Sequence, residues 1–240
     1  MNTTAIIGAA GAIGSALARR LRKDGRPLLL IGRSEERLQP LAAELESPWA
    51  VADATQFDAL DAALKSAGPL DAVVNCAGSI LLKPAHLTTD REWSDTLHTN
   101  LTTAFHTVRS AARLLMSTGG SIVLCSTAAA RTGLANHEAI AAAKAGVIGL
   151  TLSAAATYAP RNIRVNCVAP GLVDTPLAAR ITSNEMALKA SLAMHPLGRI
   201  GRPEQVASAI AWLLHPENDW VTGQVLGVDG GLATLRSSAK

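Results

Sequence analysis

Short apolar runs alternate along this chain with longer stretches in which apolar residues return every three or four positions. The runs at residues 3–7, 27–31, 49–52, 70–75, 121–126, 163–168 and 224–228 are rich in Ile, Leu, Val and Ala. They predict buried strands. Pro27 fits the start of the second, since proline can open a strand but not sit inside one. Between the runs, residues 11–23, 38–45, 57–67, 91–116, 136–158, 176–193 and 203–215 predict helices. In the first of these, Ile13, Leu17 and Leu21 fall on one helical face. Asn136 is the expected N-cap of its helix, and Pro203 opens the last one.

Strands that are apolar on both faces and alternate with helices predict a parallel sheet covered on both sides. Right-handed crossovers then give an α/β, doubly wound (Rossmann-type), seven-stranded parallel sheet. No internal repeat or linker interrupts the pattern, so residues 1–240 are expected to form a single domain. Residues 176–202 are the expected substrate lid within it. Its Leu177, Ile181, Met186, Leu188, Leu192 and Met194 suit an apolar substrate wall, and equally a helix packed on the sheet.

Composition narrows the function classes. Hydrophobic residues make up 48% of the chain but aromatics only 3%, so the core must be aliphatic. The net charge of +3 comes from basic residues spread along the chain, which argues against a nucleic-acid partner. The densest cluster, Arg19, Arg20, Arg22, Lys23 and Arg26, is expected to form a solvated helix face. No uninterrupted apolar run reaches membrane-spanning length, and the first residues lack a basic leader, so neither membrane insertion nor secretion is expected. The cysteines, Cys76, Cys125 and Cys167, are far apart in sequence and without zinc-ligand spacing. No metal is expected, and a reduced cytoplasmic setting fits best. All three are expected near strand ends, as small buried thiols rather than a redox or metal centre.

In a doubly wound sheet, ligands bind at the carboxyl ends of the strands. After the first strand comes Gly8-Ala9-Ala10-Gly11-Ala12-Ile13-Gly14. Glycines three apart between a strand and a helix let the backbone approach a pyrophosphate, which then meets the helix N-terminus. Gly8, Ala10, Gly11, Ile13 and Gly14 are therefore expected to bind a dinucleotide. After the second strand comes Gly32-Arg33-Ser34. An acidic residue here would bond a ribose 2′-hydroxyl, whereas Arg33, with Ser34 beside it, suits a 2′-phosphate. The expected cofactor is NADP(H). Asp53, in Ala52-Asp53-Ala54, either meets the adenine or caps the next helix.

With these motifs the chain resembles the short-chain dehydrogenase/reductase family, in its ketoacyl-reductase-like branch, over nearly its whole length. Asn75-Cys76-Ala77-Gly78 is similar to the family's segment after the fourth strand. Asn100 matches the helix asparagine of the catalytic tetrad. Pro170-Gly171-Leu172-Val173-Asp174-Thr175 is similar to the segment near the nicotinamide, and the resemblance assigns Thr175 to its carboxamide. Pro196-Leu197-Gly198-Arg199 and Val228-Asp229-Gly230-Gly231 match the same branch. The resemblance implies Asn75, Ala77, Gly78, Pro170, Gly171, Val173 and Thr175 as cofactor contacts, with Ala54 beside Asp53. It also implies a homotetramer and a small-molecule substrate. Ala12 stands where the family has glycine, and its Cβ is expected to narrow the pyrophosphate seat. Ile7 stands where threonine usually precedes the first glycine.

The active site departs further. The family's catalytic pair is Tyr-x-x-x-Lys, and here the segment is Ile140-Ala141-Ala142-Ala143-Lys144. The family's serine, thirteen residues before the tyrosine, is Thr127. Asn100 and Lys144 remain, and Lys144 is expected to bond the nicotinamide ribose. In the family, the tyrosine gives the proton that accompanies hydride transfer, and such an acid is worth roughly 10²–10⁴-fold in rate. Ile140 has no proton to give. The single tyrosine, Tyr158, lies five helical turns away, about 27 Å. The candidates for proton delivery are His137, three residues before Ile140, and a water held by Asn100 and Lys144. Thr127 is expected to polarise the substrate oxygen. The expected function is NADP(H)-dependent reduction of an imine, a conjugated double bond or a ketone, with atypical proton delivery. A non-catalytic NADP(H)-binding protein, a sensor or partner subunit, is the alternative.

Overall fold

Alternate residues of the first strand, β1 (Thr3–Ile7), face opposite cores: Ala5 and Ile7 enter one, Ile6 the other. The same holds in β2 (Leu28–Gly32), where Leu29 and Ile31 oppose Leu28 and Leu30. This alternation is why the strands are apolar throughout. With β3 (Trp49–Val51), β4 (Leu70–Asn75), β5 (Gly120–Cys125), β6 (Ile163–Pro170) and β7 (Val225–Val228) they form one parallel sheet in the order β3-β2-β1-β4-β5-β6-β7. The computed structural model describes residues 2–236; Met1 and residues 237–240, which the single-domain reading spans, lie outside the described residues.

Helices α1 (Ala12–Lys23), α2 (Glu35–Leu45) and α9 (Pro203–Leu214) cover one face, packing Leu17, Leu38 and Ile210 on it. Helices α3 (Phe57–Lys65), α5 (Thr103–Leu115) and α6 (Glu138–Tyr158) cover the other, with Leu64, Leu115 and Val147. Each such fully buried side chain contributes about 1.5–3 kcal/mol. The strand order reverses between β1 and β4, and the two crossovers there diverge to opposite faces. A crevice opens at their carboxyl ends as a result.

The helix expected over 91–116 runs without a break, as α4 (Asp90–Leu97), a π turn at His98–Thr102 and α5. Three other expected elements came out differently. Helix α2 starts earlier than the apolar period showed, because Ser34 caps it through the Arg37 N–H and Glu35 and Glu36 favour the dipole of its first turn. Pro40 consequently sits inside it. Asn136 does not cap α6. It takes a left-handed conformation (φ 63°), and His137 occupies the cap position. The helix expected over 176–193 is broken into a turn at Pro176–Ala178, α7 (Ala179–Thr182) and α8 (Glu185–Met194).

Among the described residues, α6 with its following turn has the length and apolar composition that a membrane-crossing helix needs, although Lys144 interrupts its apolar run. Its apolar character has another use here, since Val147, Ala154 and Ala155 lie in the core under β5 and β6.

Candidate functional site

The crevice is a cleft of about 780 Å³ whose walls include Gly8, Ala10, Gly11, Ile13, Gly14, Arg33, Ser34, Asp53, Ala54, Ala77, Gly78 and Thr175. The glycine turn explains its floor. Gly8 is left-handed (φ 75°), and a Cβ on Gly14 would stand 2.3 Å from the Gly8 carbonyl oxygen. These two glycines let α1 lie against the end of β1. Gly11 caps α1 without any side-chain acceptor, so the first N–H groups of that helix remain open to the cleft. Open donors at a helix N-terminus, with backbone for a floor, suit a pyrophosphate. Ala12 also lines the cleft, as its replacement of glycine implies.

One side of the mouth carries two guanidinium groups. Arg33 lines the wall, and Arg37 reaches across to donate from Nη2 to the Ala10 carbonyl at 2.9 Å. Arg37 escaped sequence reasoning because it lies in the first turn of a helix whose start was placed too late. Asp53 accepts from the Thr55 N–H (2.9 Å) and hydroxyl (2.8 Å) in a tight turn. It therefore does not cap α3, whose N-cap is Gln56. Burial pushes the Asp53 carboxyl up, but the Thr55 bonds and the nearby Arg33 charge outweigh that and hold it below its ordinary value. Thr55, Thr99 and Thr103 also line the walls without having been foreseen, and Leu177 lines them as the expected apolar substrate wall does.

Asn75 is not on the cleft wall. Its amide donates to Thr107 Oγ1 at 2.9 Å and accepts from the Ala77 N–H at 2.8 Å, so it shapes the Ala77-Gly78 loop from beneath. Pro170, Gly171 and Val173 likewise do not line the cleft, whereas Thr175 does. Thr175 Oγ1 accepts from the Ala178 N–H at 3.2 Å and opens the lid turn.

Beyond Gly78, the residues expected to be catalytic, which do not line the cleft themselves, come from the π turn, α6 and the segment after β5. Gly78 adjoins two of them: a Cβ there would stand 3.0 Å from Asn100 Oδ1 and 3.4 Å from Lys144 Nζ. The π turn aims Asn100 inward, where its amide donates to Ser79 Oγ and the Thr96 carbonyl, both at 3.0 Å. Such turns are frequent at functional sites. Lys144 donates to the Cys125 carbonyl at 2.8 Å, and its burial lowers the pKa of its ammonium. Thr127 donates to the Pro170 carbonyl at 3.3 Å. Ile140 is 5% exposed and lies one turn before Lys144.

His137 does not join this group. Lying at the cap position rather than in the helix, it loses the three-residue relation to Ile140. Its Nδ1 is turned back to the Ala135 carbonyl at 2.7 Å.

Comparison with known proteins agrees with this architecture. A family model described as enoyl-(acyl carrier protein) reductase matches residues 8–233. The chain is 39% identical to cis-4-hydroxycyclohexanecarboxylate dehydrogenase of Sinomonas cyclohexanicum, over 96% of each chain. It is 36% identical to the 3-oxoacyl-(acyl-carrier-protein) reductase FabG of Thermotoga maritima, over 95% of this chain and 96% of that one. A short-chain type dehydrogenase/reductase from Mycobacterium ulcerans superposes with a TM-score of 0.93 at 30% identity, covering 98% of this chain and 91% of that structure. Fold and site together define an oxidoreductase built to work with a nicotinamide dinucleotide. The chain belongs to the short-chain dehydrogenase/reductase family.

Proposed function

We propose that the protein is an NADP(H)-dependent reductase of a small apolar substrate, an imine, a conjugated double bond or a ketone, with a proton supplied by something other than a tyrosine. The observation that carries this reading is the cleft itself. Its glycine turn leaves helix donors open, and Arg33 and Arg37 bring two positive charges to one end. A 2′-phosphate needs that charge, and a 2′-hydroxyl does not. The expected contacts from Gly8 to Thr175 hold the dinucleotide, with Asn75 acting through the Ala77-Gly78 loop.

The bound dinucleotide supplies the hydride. Lys144 holds the nicotinamide ribose, and Thr127 turns its hydroxyl to the substrate oxygen. The proton reaches that oxygen through a water held by Asn100 and Lys144. Burial lowers the Lys144 pKa, which makes its ammonium a readier donor. Two relatives are named for alcohol–carbonyl interconversion, which supports the ketone branch. Leu177 on the cleft wall supports an apolar lid over residues 176–202.

A second reading, a non-catalytic NADP(H)-binding protein, is favoured by one observation. Ile140 puts a buried apolar side chain one turn from Lys144. Titration with NADPH and NADH, followed by a ketone, imine and enone panel, separates the two. Hydride transfer to any member supports the reductase, and tight NADPH binding without transfer to any supports the sensor. Equal affinity for both cofactors would defeat the NADP(H) assignment.

We also propose a homotetramer in the cytoplasm, without nucleic acid, membrane or metal. The exposed side of α6 carries the small residues Ala142, Ala145 and Gly149, which suit close packing. Light scattering at micromolar concentration tests this, and a mass near the 24.8 kDa of one chain would contradict it.

A further inference from the structure

Cys76 and Cys125 stand where two neighbouring parallel strands end. β4 and β5 pair from Ala72 opposite Ser121 to Asn75 opposite Leu124. One residue further, the same register sets Cys76 opposite Cys125. Adjacent strands run about 4.8 Å apart. That lies inside the roughly 4.4–6.8 Å between Cα atoms that a disulfide spans. The side chains also agree in direction. Cys76 and Cys125 both pack toward α1, α2 and α9, each two residues after Val74 and Val123 of the same face. Cys167 packs on the opposite face, under α6. Three thiols approach one another at the sheet's end, but only two share a side.

The setting makes these two unequal. Contact with the Cys76 thiol lowers the Cys125 pKa against the effect of burial, and the Lys144 ammonium lowers it further. The same contact, then burial, pushes Cys76 well up. Burial pushes Cys167 up to about 12. Thiolate therefore forms first on Cys125, with a protonated thiol beside it and the cleft open at Cys76. A nucleophile with a resolving thiol at hand is the arrangement that redox-responsive cysteines use.

We propose that Cys76 and Cys125 form a dithiol that hydroperoxides oxidise, reversibly, to an intrachain disulfide beside the Ala77-Gly78 wall of the cleft. The Cys125 thiolate attacks one peroxide oxygen and the O–O bond breaks. The departing alkoxide or hydroxide takes up a proton, leaving Cys125 as the sulfenic acid. The Cys76 sulfur then attacks the Cys125 sulfur. An S–S bond forms, the S–O bond breaks, and hydroxide leaves as water with the Cys76 proton. The two thiols lose two electrons and the peroxide gains them, giving disulfide, alcohol or water, and one further water.

The disulfide ties the residue before the Ala77-Gly78 wall to β5, and Cys76 itself lines the cleft. Bound NADPH therefore shields Cys76. This consequence rests on the dinucleotide reading above; disulfide formation itself does not.

The full-length protein, reduced and then exposed to hydrogen peroxide, provides the test. Trypsin leaves the three cysteines on three different peptides, bounded by Lys65 and Arg91, Arg113 and Arg131, and Arg164 and Arg180. The expected result is a chain lighter by two hydrogens, the first two peptides linked, Cys167 free to alkylate, and full reversal by dithiothreitol. Cys125→Ser should abolish the link and Cys167→Ser should leave it. Cys76→Ser should leave a sulfenic acid on Cys125 that dimedone traps. If a variant does not fold, the linked peptides of the unaltered protein decide.

Three free thiols after peroxide would overturn the proposal, as would links through Cys167 or between copies. So would a sulfinic acid on Cys125 beside a free Cys76. Saturating NADPH should slow the linkage at least about tenfold. An unchanged rate with NADPH shown to be bound would refute the shielding. If titration shows no NADPH binding, the dinucleotide reading has failed, and the linked peptides still decide the disulfide.

Discussion

The glycine turn of the cleft and the Asn100–Lys144 cluster beside Gly78 differ in what their polar groups are bonded to. At the first, the opening N–H groups of α1 have no capping side chain, and Arg33 and Arg37 stand at the mouth. At the second, the amide of Asn100, the hydroxyl of Thr127 and the ammonium of Lys144 each donate to the protein's own oxygens, and the neighbouring position is the aliphatic Ile140. The contrast teaches that holding a dinucleotide and protonating a substrate are separable demands on one fold. The first is met largely by backbone and charge. The second depends on a few side-chain atoms, and one substitution suffices to alter it.

The contrast breaks most severely at Gly14. In Gly14→Ala the new Cβ meets backbone 2.3 Å away at the Gly8 oxygen and 2.9 Å away at Ala9 Cα. A clash with backbone cannot relax by a rotamer change. A loss of about 3 kcal/mol is expected, read as a fall in Tm of about 6–12 °C, together with loss of NADPH binding by calorimetry. A folded variant that binds normally would show that α1 does not need its close approach.

Arg33→Ala tests the charged mouth alone. A charge-assisted contact is worth about 1.5–3 kcal/mol, so the preference for NADPH over NADH should fall about 10–100-fold while NADH binding holds. Undiminished preference would move the discrimination to Arg37.

Ile140→Tyr sharpens the contrast from the other end. It places a phenol one turn from Lys144, whose ammonium lowers the phenol's pKa. The ring needs more room than the buried Ile140 occupies, and strain of about 1–3 kcal/mol offsets part of the gain. At least a tenfold rise in turnover of an activated ketone is expected, roughly the lower bound of a general acid less that strain. A folded variant that binds NADPH and gains nothing would favour the sensor reading.

The smallest effect concerns the loop that holds Lys83. Lys83 donates its backbone N–H to the Asn136 carbonyl and its ammonium to Glu92 at 2.8 Å. That ammonium, with Thr89, lowers the Glu92 pKa from 4.5 to about 2. A depressed carboxylate stabilises the fold above its unfolded value and loses that contribution as pH falls through its folded one. Unfolding curves of the unaltered protein and Lys83→Met should therefore differ slightly above pH 4.5 and converge toward pH 2. A constant difference across that range would show that the pair does not titrate with folding.

Strands were legible where burial on both faces kept the run mostly apolar, with its polar residues near the strand ends. β1 and β4 begin and end where their apolar runs do. The glycine turn was legible because its cause is local, a tight turn between strand and helix. What stayed hidden depends on partners distant in sequence. The inward use of the Asn75 amide needs Thr107, 32 residues further along the chain in α5. The withdrawal of His137 needs the left-handed Asn136, which propensity reads as a helix cap.

The π turn before α5 has a consequence for the chain's tolerance of length changes. A π turn is in effect an α-helix holding one residue too many. Deleting Thr99 would let His98–Thr102 close into ordinary helix, continuous from α4 into α5. Helical content would survive, and α5 would keep its seat on the sheet. The flanking helices would keep their relative orientation, because the surplus residue is what the turn absorbs. Asn100 itself, however, would stand three residues after Thr96 instead of four, a change of about 100° around the helix. Asn100 would then lose either its bond to Thr96 or its place beside Gly78. The site is thus protected by a count of residues as much as by their identity, and a lineage that lost one could keep the fold while losing its aim.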